Sequence, residues 1–410
     1  MQKRWLWFTT GLLVLFVPEI LRIYFIMPFP GSQVEDSLAV AYFLHRYIVF
    51  FRIAGVVITV QPLYYYLRHG KLYKKLIFGF CALLYIAVFV FATKFAQADK
   101  IFLPPEHKIF ATADSNKIDL HNYVLGVALN GEAKAFPIQL IGYHHQVRDT
   151  VGGTPVMITY CTVCRSGRAF SPLVNGRGET FRLVGMDHFN AMFEDSTTGS
   201  WWRQETGDAV AGPLEGKSLS EIPSQQMTLR AWIALYPKTL IMQRNTDFNE
   251  AYDSLARFDR GRRNVIEGDS VSWHPKAWVV GVVADGNAKA YDWRDLKKAR
   301  VINDTIHGNP VIVMLDADTM TFHAFRSQVG GDYVDSEGVT HVWFDGAPLA
   351  ILWSDSLQRF TDTRTQSVWN ANGECIAGGM KGQRLKPLSS YQENWHSWQT
   401  FHPNGTAMKE

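Results

Sequence analysis

The sequence lacks most of the features that would point directly to an activity. Lys and Arg exceed Asp and Glu by only three. The basic residues that do cluster lie beside apolar runs, so a nucleic-acid partner is not expected. There is no nucleotide-binding glycine loop, no Ser-His-Asp arrangement and no cofactor fingerprint, which leaves no substrate to assign. Helical periodicity is scarce beyond Asp99, where Leu229 to Tyr236 is the best candidate helix. Cysteine is sparse too, with four residues in 410, so the position of each one matters.

What is abundant is hydrophobicity near the N-terminus. From Trp5 to about Met27 the chain is apolar apart from Thr9, Thr10, Glu19 and Arg22, enough at helical rise to cross roughly 30 Å of hydrocarbon. A second run, about 47–67, is interrupted by Arg52 and Gln61, and a third, about 76–92, carries no charge. These runs predict three transmembrane helices within residues 1–97.

Lys3 and Arg4 precede the first span, and Arg68, Lys71, Lys74 and Lys75 separate the second from the third, whereas the loop around Glu35 and Asp36 has no basic residue. The positive-inside rule then puts the N-terminus in the cytoplasm and everything after Ala92 outside. His45 and Arg46 are expected at the outer interface. Ala96-Gln97-Ala98 resembles a signal-peptidase site, but the length of the third run predicts that it stays as an anchor. Ionisable groups within a bilayer call for partners. Glu19 and Arg52 fall at similar depth on neighbouring antiparallel spans and are predicted to pair.

Past residue 98, short alternating runs between Gly, Pro, Asn and Asp read as strands and turns, giving a mainly β (β-rich α+β) soluble part. Self-similarity organises it. V-L-G-V-A-L-N-G-E-A-K-A-F at Val124 to Phe136 recurs as V-V-G-V-V-A-D-G-N-A-K-A-Y at Val279 to Tyr291, and the register holds to Ala169-Phe170 against Ala324-Phe325. Later, Trp202, Gly207 and Ala211-Gly212 are echoed by Trp369, Gly373 and Ala377-Gly378. Two duplicated lobes are expected, 98–255 and 256–410. Their boundary falls in a solvated loop carrying Arg257, Arg260, Arg262 and Arg263.

The copies then act as an internal control, since what only one of them carries is a better candidate for chemistry. Cys161 and Cys164 follow an apolar strand in the first copy, and Asp316 and Thr319 stand at the equivalent positions of the second. Two thiols so spaced can form a redox-active disulfide, bind a metal jointly or act as a staple, although closing so short a loop gives a staple little stabilisation. Gly167 and Pro172 disfavour a thioredoxin-type helix here and favour a hairpin or knuckle. Arg165 and Arg168 are expected to favour a thiolate. His188 is the expected neighbour of the thiols. Met186 and His144, with His145 and Met192, add soft or basic groups suited to copper or zinc. Cys375 is expected to be a buried thiol, and Cys81 lies within the third span.

The chain resembles the domain of unknown function 3179 family over about residues 105–405. The likeness rests on D-x-V-G-G-x-P-V-x-x-T-Y-C-x-x-C at Asp149 to Cys164, on T-G-S-W-W-R-Q-x-T-G-x-A-x-A-G-P-L at Thr198 to Leu214, and on the A-K-A-[FY] segments. Relatives often carry Pro after the first Cys and Gly after the second, where this chain has Thr162 and Arg165. Many of them have only a signal or lipid anchor. Some place selenocysteine at one thiol position, which implies chalcogen chemistry at Cys161 or Cys164.

The leading expectation is a multi-pass protein of the bacterial cytoplasmic membrane, in contact with lipid, whose external domain does thiol-disulfide chemistry at Cys161 and Cys164, tuned by Arg165 and His188. This reading needs no cofactor and has another extracytoplasmic thiol protein as partner. The alternatives are a copper or zinc module built from Cys161, Cys164, His188, Met186 and His144 and served by a metal donor, and a structural or ligand-binding β domain.

Overall fold

The computed structural model describes residues 2–33, 37–256, 258, 273–329, 332–334, 340–342 and 347–408. Glu35, Asp36 and the boundary arginines Arg257, Arg260, Arg262 and Arg263 lie outside the described residues. The chain forms two compact units, Met1–Pro104 with Pro172–Ser220, and Pro105–Ser171 with Glu221–Glu410. The segment expected as one lobe at 98–255 therefore contributes to both.

In the first unit, helices α1 (Gln2–Ile26), α2 (Ser37–His69) and α3 (Leu72–Lys94) are each long and apolar enough to cross a membrane. Their exposed residues include Leu13, Ile53, Val57, Phe80 and Leu83, as lipid-facing helices require and as a membrane-anchored protein would show. α2 begins well before the apolar run at Tyr47. Its first turns are held by packing, because Leu38, Ala41 and Tyr42 lie against Val184, Met192 and Trp201, and His45 Nε2 is 3.0 Å from Glu194 Oε2. Glu19, fully buried, accepts from Arg52 Nε at 2.5 Å and from Arg22 Nη2 at 3.2 Å, and Arg22 also reaches the Ala92 carbonyl at 3.3 Å. One carboxylate thus ties all three helices together at a depth where unpaired charge is costly.

The same unit holds a four-stranded sheet in the order Ala209–Ala211, Trp201–Arg203, Asn190–Asp195, Phe181–Asp187. Its corner is pinned by the buried Asp195, which accepts from Thr198, from the Ser200 amide and from Trp202 Nε1. In the second unit Asp362 does the same for Thr365, Ser367 and Trp369.

The second unit contains two stretches that follow one path. Strands Tyr123–Leu129 and Glu132–Pro137, helix Ile138–His144 and strands Gln146–Val151, Thr154–Cys161 and Ser166–Phe170 are matched by Trp278–Ala284, Asn287–Asp292, helix Trp293–Ala299, Val301–Ile306, Asn309–Leu315 and Phe322–Arg326. The first hairpin of each turns on Asn130-Gly131 or Asp285-Gly286, all four residues at positive φ, the backbone that Asn-Gly and Asp-Gly pairs adopt most readily. Gln225–Thr228 flanks one hairpin and Ser389–Asn394 the other, and each leads into a short helix, Leu229–Leu235 or Trp395–Phe401.

Each of those helices lays a fully buried tryptophan on a strand glycine. A Cβ added at Gly126 would come within 2.3 Å of Trp232, and one at Gly281 within 1.9 Å of Trp398. These two contacts set the distance between helix and sheet in each half. Gly281→Ala is expected to destabilise the protein by roughly 1–3 kcal/mol, the usual range for overpacking a rigid contact. A lowered thermal unfolding midpoint in detergent checks this, and an unchanged midpoint would show that the indole is free to move aside.

Candidate functional site

Strand Thr154–Cys161 ends at the first thiol and pairs across the hairpin with Ser166, which leaves Thr162, Val163, Cys164 and Arg165 as the loop. The pair therefore sits in a hairpin and does not open a helix. Arg165 takes φ 58, a left-handed conformation that glycine adopts without strain and other residues only at about 1–2 kcal/mol. Glycine would be relaxed there. Here the strained arginine is buried, its guanidinium 4.0 Å from the Trp278 ring centre and 4.7 Å from that of Phe258, with Nη1 bonded to the Phe258 carbonyl at 2.5 Å. Those contacts offset the strain.

Both cysteines are fully buried. The groups that meet the loop come from the C-terminal half of the unit. The amide of Asn394 donates to the Cys164 carbonyl at 2.8 Å, and Asn394 Nδ2 and Lys276 Nζ donate to the Val163 carbonyl at 2.8 and 2.7 Å. His396, in the first turn of helix Trp395–Phe401, has Nε2 3.8 Å from Cys164 Sγ, and its Nδ1 lies 2.8 Å from the Pro275 carbonyl. A carbonyl can only accept, so Nδ1 carries the proton and Nε2 presents its lone pair to the thiol.

Electrostatics reinforce this tautomer. Burial, then the Lys276 charge, lower the His396 pKa to about 4 against the opposing pull of its bond to Pro275, so the ring is neutral near pH 7. Burial lowers Lys276 below its ordinary value, while Cys164 and then Cys161, when ionised, act in the opposite direction. That coupling is mutual, and the ammonium favours thiolates at both sulfurs.

The residues nominated from sequence do not all gather here. Arg168 is buried, 2.9 Å from Glu393 Oε1 and 3.5 Å from the Tyr391 ring centre, and Lys276 is a cation coupled to both thiols. His144 is a core residue, with Nε2 2.7 Å from the Tyr252 hydroxyl. His188 and Met186 belong to the first unit, where His188 Nδ1 lies 2.6 Å from Asp187 Oδ1 and Arg203 Nε lies 2.5 Å from Asp187 Oδ2. Burial alone would raise the Asp187 carboxyl, but the His188 hydrogen bond and the Arg203 charge outweigh it and hold it below its usual range. Cys375 is buried and donates to the Ala377 carbonyl at 3.3 Å. Among the described residues no group of three His, Cys, Asp or Glu side chains is arranged to hold a metal.

His396, Lys276 and Asn394 lie far from the thiols in sequence, so no local signal marks them, but two of them differ between the two matching stretches. The helix Leu229–Leu235 has Arg230 where His396 stands, and His121 precedes Tyr123 as Lys276 precedes Trp278.

Residues 104–405 match the family of proteins of unknown function DUF3179, and the chain belongs to it. No curated protein and no solved structure matches.

His145, His323 and His396 are each lowered from the ordinary 6.5 to about 4, in every case chiefly by burial. The unfolded chain takes up these protons near 6.5 and the folded chain only near 4, so between those values the unfolded state holds more. Stability is then full above about pH 6.5 and falls as pH drops towards 4. His145→Asn, which suits the left-handed backbone at this position, is expected to make the fall shallower. Unfolding midpoints at about pH 7.5 and about pH 4.5 check it; an equal drop in both proteins would rule out a contribution from His145.

Proposed function

We propose that the protein is a thiol-dependent redox protein anchored in the bacterial cytoplasmic membrane, with Cys164 as the attacking thiol and Cys161 as the resolving one. The reading rests on two thiols held in one hairpin beside the Lys276 ammonium, which is coupled to Cys164 first and then to Cys161. Cys164, as thiolate, attacks one sulfur of a partner disulfide. An S–S bond forms to the partner while the partner's own S–S bond breaks, and the departing thiolate takes up a proton. Cys161, on losing its proton, attacks the Cys164 sulfur and releases the second partner sulfur as a thiol. One dithiol is oxidised, one disulfide is reduced, and the reverse sequence oxidises a partner. The partner class is therefore another extracytoplasmic thiol protein.

Lys276→Met is expected to slow alkylation of Cys164 at neutral pH by roughly tenfold, and Cys161→Ser to hold a mixed disulfide with the partner. Mass spectrometry of iodoacetamide-treated protein and non-reducing gels check the two arms. An alkylation rate indifferent to Lys276 would sink the assignment of Cys164 as attacker.

The burial of both sulfurs favours a second reading, a structural β domain whose thiols pack in a closed hairpin. The two readings separate on redox equilibrium. A pair that equilibrates reversibly with glutathione buffers supports the first, and one that neither oxidises nor alkylates until the protein unfolds supports the second.

The orientation in this reading has the N-terminus inside, from Lys3, Arg4, Arg68, Lys71, Lys74 and Lys75. Alkaline phosphatase joined after the C-terminus should be active, and a fluorescent protein that folds only in the cytosol should be dark there. The opposite pattern would put the thiols in a reducing compartment and remove the basis of the redox reading.

A further inference from the structure

Two strands of the second unit lie at the rim of their sheets. Gln225–Thr228 pairs only with Tyr123–Leu129, and Ser389–Asn394 only with Trp278–Ala284. In an antiparallel ladder successive residues turn their N–H and C=O alternately into the pair and away from it, so one outward bond fixes the direction of the rest. The Asn394 amide goes to the Cys164 carbonyl at 2.8 Å and the Leu388 amide to that of Ala324 at 2.9 Å, both away from the ladder. Ser390 and Gln392 share that parity, and the register runs without a bulge.

The other edge repeats the pattern. The Thr228 amide donates to Thr321 Oγ1 at 3.2 Å and the Ile222 amide to the Ala169 carbonyl at 2.7 Å, so Ser224 and Gln226 are turned outward between them. Both ends of each edge are thus taken up by the protein itself. Gln226 and Gln392 are buried, and Gln226 Nε2 donates to Gln392 Oε1 at 2.9 Å, which closes the inner side.

Ser224 and Ser390 remain. Among the described residues no strand or loop takes their outward main-chain groups. Both are only half-buried, and both line an open cleft of about 510 Å³ between the two halves of the unit. That volume falls within the range of about 300–1,000 Å³ typical of ligand sites. Tyr236, Phe322, Phe325 and Tyr391 also line it.

We infer that this cleft binds an extended polypeptide segment, whose main chain pairs with Ser224 and Ser390 and whose alternate side chains lie on the aromatic walls. An outward residue of a strand edge offers a donor and an acceptor side by side, and another extended chain presents the matching pair. The inference does not depend on the thiol chemistry.

The test uses the full-length protein in nanodiscs and the fluorescein-labelled peptide Val-Thr-Val-Thr-Val, followed by fluorescence anisotropy. The same peptide N-methylated at every residue is the control, because methylation removes the N–H groups that pair with an edge. The expected result is saturable binding of the plain peptide and none of the methylated one. Ser390→Pro removes one outward N–H without touching the ladder to Trp278–Ala284, a position where an edge strand tolerates proline, and should weaken binding about tenfold. Ser224→Pro does the same on the facing edge and serves if the first variant does not fold. No saturable binding of the plain peptide, equal binding of the methylated one or of protein-free nanodiscs, or an affinity unchanged in both proline variants overturns the proposal. Self-association of the protein that excludes the peptide also overturns it, since a second copy would then occupy the edge.

Discussion

The second unit closes by an exchange in which each half lends one loop to the start of the other half's helix. The loop after Asn309–Leu315 reaches Thr228, whose amide donates to Thr321 Oγ1 at 3.2 Å and whose hydroxyl donates to Asp318 Oδ2 at 2.8 Å, while the Tyr123 hydroxyl donates to the Met320 carbonyl. The loop after Thr154–Cys161 reaches Asn394 in the equivalent way, with Trp278 against Arg165 where Tyr123 meets Met320. Both dockings join segments far apart in sequence, so each must outweigh a loop-closure entropy that local hairpins do not face. The thiols are held in place only while the C-terminal strand and helix are folded.

The two dockings solve one packing problem with different chemistry. On one side Asp318 is satisfied by Thr228, Thr321 and backbone amides, a closed set of hard oxygens and N–H groups. On the other, the positions of Asp316, Thr319, His121 and Arg230 are taken by Cys161, Cys164, Lys276 and His396. Docking does not require titratable sulfur, because the first arrangement docks without it. The second accepts a buried ammonium and a histidine kept neutral, both destabilising in the abstract. Features that lower stability without improving packing are expected where a site is under functional demand.

Much of this could be read from the sequence, and the limit has a physical cause. The three apolar helices, the mainly β character, the Asn130-Gly131 and Asp285-Gly286 turns and the hairpin at the cysteines all follow from local periodicity and turn chemistry. The early start of α2 did not follow, because its first turns depend on packing against Trp201 and Met192, which no local pattern encodes. The neighbours of the thiols were hidden for a similar reason. His188 is near in sequence yet tied to Asp187 in the other unit, whereas His396 is 232 residues from Cys164 and meets it through the exchange of loops. Proximity in sequence is a poor guide wherever a fold pairs its ends.

Burial and reactivity pull against each other at the hairpin, and the hydrogen bonds on Val163 and Cys164 set the balance. Both sulfurs are fully buried, so in the proposed redox reading a partner disulfide would reach them only after the loop lifts. Lifting it breaks the bonds from Asn394 N, Asn394 Nδ2 and Lys276 Nζ, together worth roughly 3–5 kcal/mol by the usual range for neutral and charge-assisted bonds. The open fraction would then be roughly one in a hundred to one in several thousand. In that reading a thiol attacking from so rare a state would have to be highly competent once there. An ammonium coupled to both sulfurs would supply that competence, and the Lys276 side chain that holds the loop shut would also be the cation that stabilises the thiolate. Closure and activation would then share a residue, and loosening the loop at Lys276 would also weaken the nucleophile that the redox reading assigns.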